Sequence, residues 1–455
     1  MGYQPANILI LIQNTKRRGV MKKALAMVLG GVCILTLLLT FPNGAIGSSN
    51  EIKIGVLFSL TGPFAPAGAL AGYRGSMIAI EMANEKGWIP GYKIKPITAD
   101  AQSNPDIAIR EAKRLISVEK VPVILGDYSS SIGVPLAPIC EQNHTVFWVI
   151  IAISDKIVKG RHQQYVFRVQ PMGSQWGKSS VNFLNENYTS LGYSSPKDVK
   201  VAIIHEDGPY GSSVSKANEA QLKKYGMKIV LKEGYSHTAK DLSSLVLKLK
   251  AHRPDVILHT GYFPDIVLFL RQARELGLKT KAIIGHGAGY ANFPLLEKSL
   301  GREIVNYLYN VDPAPAQILD VRKLKPGMGR LIAEFLNRYR QKYGEANPPT
   351  HATQGFGHTW VMVHEVLPRA VKKYGKVTAD TIRMAARDLD IPEGATPCGY
   401  GVKFAPPEHE YAGQNLRSYP VVMQWVNGKI EIAWPSALQT AKPKLPFPAD
   451  SPFAP

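Results

Sequence analysis

The segment VPVILGDYSSS, residues 121–131, joins a run of apolar residues to a cluster of small polar ones. Val121 to Gly126 has the short, β-branched composition of a buried strand, and the polar loop after it leads into a stretch with helical spacing. The same succession of apolar run, polar loop and amphipathic stretch recurs from Glu51 onward. This alternation predicts the α/β class, with parallel sheets and crossover helices.

A coarse division into elements follows from this pattern. The predicted strands are Ile52 to Leu60, Ile94 to Ala99, Val121 to Gly126, Val146 to Ile153, Val201 to His205, Lys228 to Glu233, Val256 to Thr260 and Ala282 to Gly285. The predicted helices between them are Leu70 to Lys86, Pro105 to Ser117, Gly211 to Tyr225, Asp241 to Ala251 and Pro264 to Leu276. Two successive series joined near 166–171 predict two doubly wound lobes with a cleft between them. Asn427-Gly428 predicts a hairpin turn between two later apolar runs.

Residues 1–47 have a different composition. Five basic residues between Lys16 and Lys23 precede an uncharged stretch from Ala24 to Phe41, with small residues up to Gly47. This order predicts an export signal cleaved after Gly47, and hence a location in the periplasm. The sequence leaves three alternatives open. The segment is either cleaved or kept as a membrane anchor, export follows either the general or the twin-arginine route, and the chain starts at either Met1 or Met21.

The net charge is +19, of which the signal contributes five positive charges. A basic balance is typical of nucleic-acid binders, but an exported protein meets no nucleic acid and the basic residues lie scattered on predicted helix faces. We therefore expect a solvated basic surface and no nucleic-acid partner. Cys140 and Cys398 are expected as buried free thiols, and no metal-binding spacing is present. No cofactor is expected.

The loops after the strands are the places to seek a ligand site, because open α/β sheets bind ligands at the carboxyl ends of their strands. Three hydroxyls, Ser129 to Ser131, enter a predicted helix whose N-terminus suits a carboxylate. Simple helix capping is the structural alternative for these serines. Tyr128, Tyr210 and Tyr262 also follow predicted strands and suit the wall of a small-solute pocket.

Several catalytic patterns are incomplete, so we expect no enzyme. The glycines of Gly173 to Ser179 are too close together for a phosphate-binding loop. His364-Glu365 is followed by Pro368 where a zinc protease needs its second histidine. No G-x-S-x-G nucleophile elbow occurs in the chain. The spacing of His351, His358 and His364 favours satisfied or surface histidines over ligands.

Several short segments together carry a resemblance to a known family. They are Ile54-Gly55-Val56 with Thr61-Gly62-Pro63, Val123 to Gly126 with Ser129-Ser130-Ser131, His205-Glu206-Asp207 with Tyr210-Gly211, Asp241 to Val246, Gly261 to Pro264, and Leu270 to Gly277. Their order and spacing across residues 51 to 435 resemble the leucine/isoleucine/valine-binding family of periplasmic solute receptors. The resemblance implies the type I periplasmic binding fold, two Rossmann-like lobes joined by three hinge crossovers near 168–172, 306–310 and 396–402.

The export signal inferred from composition and the resemblance together predict a division of the chain. Residues 1–47 are the signal peptide, 51–168 with 309–396 form lobe 1, 172–306 with 402–435 form lobe 2, and 436–455 form a Pro-rich tail. The implied function is that of a solute-binding protein of an ABC importer. Such a protein binds one small polar solute, which is an amino acid, a carboxylate or an amide, and delivers it to a membrane permease. We expect it to act as a monomer. A ligand-sensing receptor or regulatory protein on the same fold is the alternative.

In that family the loop matching Tyr128 to Ser131 holds a ligand carboxylate, with help from the loop matching Ala152 to Ser154. The expected ligand-binding residues are Tyr128, Ser129, Ser130, Ser131, Ala152, Ile153, Ser154, Tyr210, Tyr262, His286 and Gly287. Amino-acid binders place an acid after the strand matching Ala282 to Gly285, but this chain has His286-Gly287-Ala288-Gly289 there. Either another carboxylate such as Asp207 reaches in, or the ligand is not an α-amino acid.

Overall fold

The computed structural model describes residues 50–455, so the predicted export signal lies outside the described residues. The strands are β1 (Asn50–Phe58), β2 (Tyr92–Asp100), β3 (Val123–Gly126), β4 (Val146–Val149), β5 (Val166–Arg168), β6 (Lys200–Glu206), β7 (Lys228–Tyr235), β8 (Val256–Thr260), β9 (Ala282–His286), β10 (Tyr309–Asp312), β11 (Val421–Val426) and β12 (Lys429–Trp434). The helices are α1 (Leu70–Lys86), α2 (Pro105–Ser117), α3 (Ser130–Gln142), α4 (Gly173–Asn187), α5 (Pro209–Tyr225), α6 (Ser243–His252), α7 (Phe263–Glu275), α8 (Phe293–Leu300), α9 (Arg302–Val305), α10 (Met328–Tyr343), α11 (Thr350–Trp360), α12 (Leu367–Tyr374) and α13 (Ala379–Arg387).

These strands form two sheets, each the centre of one lobe. The first sheet has the order β2-β1-β3-β4-β5 and is parallel throughout. The second has the order β12-β11-β10-β9-β8-β6-β7, with antiparallel pairing only of β11 with its two neighbours. Both orders change direction inside the sheet, as in doubly wound folds. The predicted α/β class and the two lobes are confirmed.

Two helices agree with the sequence prediction residue for residue, whereas one strand is shorter than predicted. Helices α1 and α2 begin and end as predicted, and α2 starts with the Asn104 side chain accepting the N–H groups of Asp106 and Ile107. Strand β4 is shorter than predicted, ending at Val149 instead of Ile153. Residues 150–152 turn across the end of β3, since Ile150 donates to the Gly126 carbonyl. That turn makes the apolar run a loop at the carboxyl edge of the sheet.

The crossovers between the lobes are held by buried polar contacts. Arg168, at the end of β5, donates its backbone N–H to Gly413 and accepts from Asn415. Its guanidinium donates to Gln414 Oε1 over 2.7 Å. Strand β10 lies in the second sheet, at the place predicted for the second crossover. The exact residue boundaries of the lobes stay a prediction.

The Pro-rich C-terminal tail, residues 436–455, packs on the second lobe. Phe447 and Phe453 are buried in the second lobe's core. Phe447 donates its N–H to the Lys281 carbonyl, and Thr280 donates to that of Phe453. No helix among residues 50–455 is both long and apolar enough to span a membrane.

Candidate functional site

A small cavity lined by buried residues lies where the loops of the two sheets meet. It is lined by Tyr128, Ser130, Ile151, Ile153, Trp176, Tyr210, Tyr262, Ala288 and His351. The centre of a water molecule can occupy ≈ 20 Å³ of it, room for about one ordered water. A larger solute therefore requires side chains or lobes to move apart.

The first lobe contributes a strand-to-helix loop. Ser129 caps α3, and its hydroxyl accepts the Ser131 N–H over 3.2 Å. Ser130 Oγ accepts the backbone N–H of Ser154 at 3.0 Å, so its own proton is available to an acceptor in the cavity. Helix capping and ligand binding were the two alternatives for these serines. Ser129 caps the helix, and Ser130 lines the cavity.

The second lobe covers the cavity with two tyrosines at the N-termini of α5 and α7. Tyr210 donates its hydroxyl to the His286 carbonyl. The Tyr262 N–H donates to Asp265 Oδ1 over 3.0 Å, and Tyr235 donates to Asp265 Oδ2 over 2.7 Å. Burial raises the pKa of Asp265 to about 8, so this carboxyl is mostly protonated at neutral pH.

Tyr262 is the centre of an aromatic cluster. Its ring centroid lies 4.6 Å from that of Phe64 and 5.3 Å from that of Tyr210. Tyr128 and His237 lie at 6.1 Å and 5.6 Å. Phe64 and Tyr128 come from the first lobe, so this cluster gives the cavity an aromatic wall contributed by both lobes.

Two hydroxyl pairs bridge the lobes beside the cavity. Ser129 Oγ lies 3.0 Å from the Tyr262 hydroxyl, and Ser154 Oγ lies 2.9 Å from Ser213 Oγ in α5. The Ser213 hydroxyl also accepts the Asp155 N–H over 3.1 Å. These direct contacts define a closed arrangement of the lobes.

Three residues of the cavity wall carry buried polar atoms without a hydrogen-bond partner among the described residues: the Tyr128 hydroxyl, Trp176 Nε1 and His351 Nδ1. An unsatisfied buried polar atom costs about 1 to 3 kcal/mol, and such atoms mark places where water or a ligand completes the bonding. Burial lowers the pKa of His351 to about 3, so its imidazole is neutral.

The structure brings some of the predicted ligand-binding residues to the cavity and leaves others outside it. Tyr128, Ser130, Ile153, Tyr210 and Tyr262 line it. The predicted residues outside the lining are Ser129, Ser131, Ala152, Ser154, His286 and Gly287. The first four belong to the loops that shape the cavity.

His286 is buried and faces the interior of the second lobe. Its Nε2 lies 3.0 Å from Ser180 Oγ and its Nδ1 lies 3.0 Å from Thr260 Oγ1. Burial lowers its pKa to about 4, so the ring is neutral. The Gly287 N–H donates to Asn310 Oδ1 over 2.7 Å. Asp207, considered as a replacement acid, is exposed and does not line the cavity.

Sequence reasoning missed four lining residues: Ile151, Trp176, Ala288 and His351. Ile151 and Ala288 adjoin predicted residues, so widening those loops by one residue would have found them. Trp176 lies in the segment dismissed as an incomplete phosphate loop. His351 was expected to be satisfied or on the surface, but it is buried with an unpartnered nitrogen.

The other histidines of that stretch fit the expectation. His358 is bonded to the Ile150 carbonyl and the Tyr400 hydroxyl, and His364 pairs with Glu365. Cys140 and Cys398 are buried free thiols, as predicted. No cluster of three or more His, Cys, Asp or Glu that could hold a metal occurs within residues 50–455.

Comparison with known proteins agrees with this architecture. The chain is similar to Leu/Ile/Val-binding protein homolog 7 of Brucella abortus (strain 2308), with 36% identity over 404 residues, 89% of this chain and 96% of the relative. Among solved structures it is similar to LivJ, a branched-chain amino acid transporter substrate-binding protein of Streptococcus pneumoniae in complex with isoleucine (TM-score 0.68, 22% identity, 84% and 98% covered).

It is also similar in fold to a solute-binding protein of R. palustris in complex with benzoate (TM-score 0.67, 17% identity, 84% and 95% covered). At these identities the structural likeness concerns the fold alone. The model of the family described as periplasmic binding protein matches residues 51–427, most of the chain. With this match and the 36% identical relative, the chain belongs to the periplasmic binding protein family.

Proposed function

We propose that this protein is an extracytoplasmic, non-catalytic solute-binding protein of an ABC importer, which closes around a small polar solute and delivers it to a membrane permease. The small cavity with walls from both lobes carries the proposal. The Tyr128 hydroxyl and Trp176 Nε1 in its wall have no partner among the described residues, so a ligand can form hydrogen bonds with them. The serine loop at the N-terminus of α3 offers donors to a carboxylate or amide.

Lobe closure is the mechanism that fits this geometry. The closed cavity has room for about one water, so a solute enters an open form and is enclosed as the lobes close. The Ser129–Tyr262 and Ser154–Ser213 contacts form in the closed state. The closed form presents both lobes to the permease in one fixed orientation. The protein acts as a monomer in the periplasm.

Relatives support an amino acid, carboxylate or amide as the solute. The 36% identical relative is named for leucine, isoleucine and valine. Proteins of the same fold hold isoleucine or benzoate. The isoleucine and benzoate molecules share a carboxylate and an apolar body, for which the serine loop and the aromatic wall are suited.

Thermal-shift screening followed by calorimetry tests the proposal. Amino acids, aliphatic and aromatic acids, amides and small polyols are screened, since a ligand at 100 times its Kd adds about 2.7 kcal/mol to the free energy of unfolding. We expect Ser130→Ala to weaken binding of the identified solute about 10-fold. The matched control is Ser117→Ala, an exposed serine in α2. A screen without any stabilising solute, or recovery of the solute in a chemically altered form, contradicts the proposal.

A further inference from the structure

The cavity lining contains no Asp, Glu, Lys or Arg. An α-amino acid brings an ammonium group, and a buried ammonium without a carboxylate partner is strongly disfavoured. The loop after β9, which borders the cavity at Ala288, has no acidic residue between His286 and Ala291. The wall therefore lacks the group that an amino acid requires.

Asp312, at the end of β10, is a buried acid near Tyr128 and Tyr210, but it does not line the cavity. Its Oδ1 accepts from Gln354 over 2.6 Å, its Oδ2 has no partner among the described residues, and burial raises its pKa well above the usual range.

Two other buried acids accept hydrogen bonds within their own loops. Glu206 accepts the N–H groups of Gly208 and Gly211 at 2.7 and 2.5 Å. Asp265 accepts from Tyr235 and the Tyr262 backbone. Burial raises the pKa of both groups and favours their uncharged forms. Neither side chain lines the cavity.

Asp127 is a further buried acid, and neither of its carboxyl oxygens has a hydrogen-bond partner among the described residues. Its Oδ1 lies 3.2 Å from the position of a Cβ on Gly133, next to the side chains of Ala152 and Ile157. It thus packs under helix α3 and is absent from the cavity lining. Complete burial raises its pKa well above the usual range and favours its uncharged form.

The unpartnered polar atoms of the cavity wall can all donate a hydrogen bond, although the Tyr128 hydroxyl and the neutral His351 ring can also accept one. Trp176 Nε1 can only donate and has no partner. The Ser130 hydroxyl already accepts from Ser154, and the Tyr128 hydroxyl is unpartnered. Helix α3, 13 residues long, begins at Ser130 and adds the partial positive charge of its N-terminus. Together these groups favour an anionic oxygen in the cavity.

A buried cation lies behind the same loop. The Arg168 guanidinium donates to the carbonyls of Ala152 and Ser154 at 3.3 and 2.7 Å, on either side of the cavity-lining Ile153. No acidic side chain lies within ion-pair distance of it in the described part of the chain. Desolvation lowers its pKa only to about 10, so it stays charged. The Asp155 carboxyl offsets part of this charge without forming an ion pair, and the remaining positive field favours an anion over a cation in the cavity.

We infer that the solute is a carboxylic acid without an amino group, with an aliphatic or aromatic body that packs against Tyr262, Ile151 and Ala288. The inference rests on the proposed function and names the ligand class of the same cavity. The carboxylate binds the donors of Tyr128, Ser130 and Trp176. The absence of an acid in the wall excludes the ammonium of an amino acid.

Matched pairs that differ only in the amino group test the inference by calorimetry on the mature chain. The pairs are 4-methylpentanoate with leucine and 3-phenylpropanoate with phenylalanine. Two further compounds are tested beside the pairs: glycine betaine, which carries a quaternary ammonium group, and 3-phenylpropanamide, which has an amide in place of the carboxylate. We expect at least one acid to bind about 100-fold more tightly than its amino acid. Tighter binding of the amino acid, the amide or glycine betaine overturns the inference and leaves the proposed function intact. No binding by any compound of this set or the screen contradicts the proposed function itself.

A second experiment places an acidic side chain in the cavity wall. Ala288 lines the cavity with φ of +41°, a region that Asp and Asn tolerate. Ala288→Asp is expected to raise the ratio of amino acid to acid affinity about 10-fold over the isosteric control Ala288→Asn. An unchanged ratio between two folded variants counts against the inference, since the cavity would then not depend on a missing acid.

Discussion

At the scale of single residues, Gly287 shows how the loop after β9 shapes the cavity from outside it. Its φ is +53°, which L side chains rarely adopt, and a Cβ there would overlap the six-membered ring of Trp176. Trp176 can hold its indole against the cavity because position 287 has no side chain. Gly287 thus acts on the ligand through Trp176.

We expect Gly287→Ala to weaken solute binding by at least about 10-fold and to lower the free energy of unfolding by about 3 kcal/mol, from backbone strain and overpacking. Calorimetry and urea unfolding measure the two effects. Gly301→Ala is the matched control, because Gly301 has φ of +87° with no atom within 4 Å of its Cβ position. It should lose stability through strain alone and keep its affinity. Equal affinities of the two variants would show that Trp176 does not depend on Gly287.

The residues that sequence reasoning found and missed have a common physical explanation. Tyr128 and Ser130 follow a strong apolar run, so their position at a strand end is visible in the sequence. Trp176 and His351 lie in helices, where nothing in the local pattern indicates that one face meets the other lobe. His351 depends on contacts with residues such as Tyr128, whose ring centroid lies 5.2 Å away. Such long-range packing is not encoded in local spacing.

At the scale of elements, the order of strands and helices could be predicted because apolar residues recur with different spacing in the two kinds of element. Helix α1 was predicted to its ends because Leu70 to Lys86 contains no proline and Gly87, with φ of +62°, ends it. Strand β4 was predicted too long because residues 150–153 continue an apolar run after the sheet has ended. Their apolar character serves the cavity instead of the sheet, which composition alone cannot distinguish.

The C-terminal tail was the element with the least sequence information, since a Pro-rich segment has no period to follow. The structure places Leu445, Phe447 and Phe453 in buried positions. Tyr307 donates its hydroxyl to Asp450 over 2.9 Å, which fixes the chain between the two phenylalanines. The tail meets Thr280 and Lys281, which precede β9, and so covers the edge of the sheet opposite the cavity.

Removal of residues 446–455 should therefore destabilise the protein without changing the site. Two buried phenylalanines contribute about 1.5 to 3 kcal/mol each, so we expect a loss of about 3 to 6 kcal/mol in urea unfolding. Solute affinity of the folded fraction should stay within a factor of about 2. Lys442→Ala, an exposed change in the tail, should alter stability by less than about 0.5 kcal/mol. An unchanged unfolding midpoint in the truncated chain would mean that the tail does not pack as described.

At the scale of the whole molecule, the proposed function requires the two lobes to separate. Ser154 lies in the loop after β4 of the first sheet, and Ser213 lies in α5 of the second. Their hydroxyl oxygens are 2.9 Å apart, so cysteines at these two positions bring their sulfur atoms together across the lobes. The native thiols of Cys140 and Cys398 are buried, and burial raises the pKa of each to about 12. They are therefore poor competitors for oxidation at neutral pH.

The double variant Ser154→Cys/Ser213→Cys consequently tests lobe opening directly. When oxidised without solute, it should bind solute at least about 100-fold more slowly than when reduced, because the closed cavity admits about one water. Stopped-flow binding measures the rate, and dithiothreitol should restore it. The single variant Ser154→Cys should respond to neither oxidant nor reductant. A verified disulfide that leaves the association rate unchanged would show that solute reaches the cavity without lobe separation, and hinge closure would then have to be replaced by local movement of the aromatic wall around Tyr262.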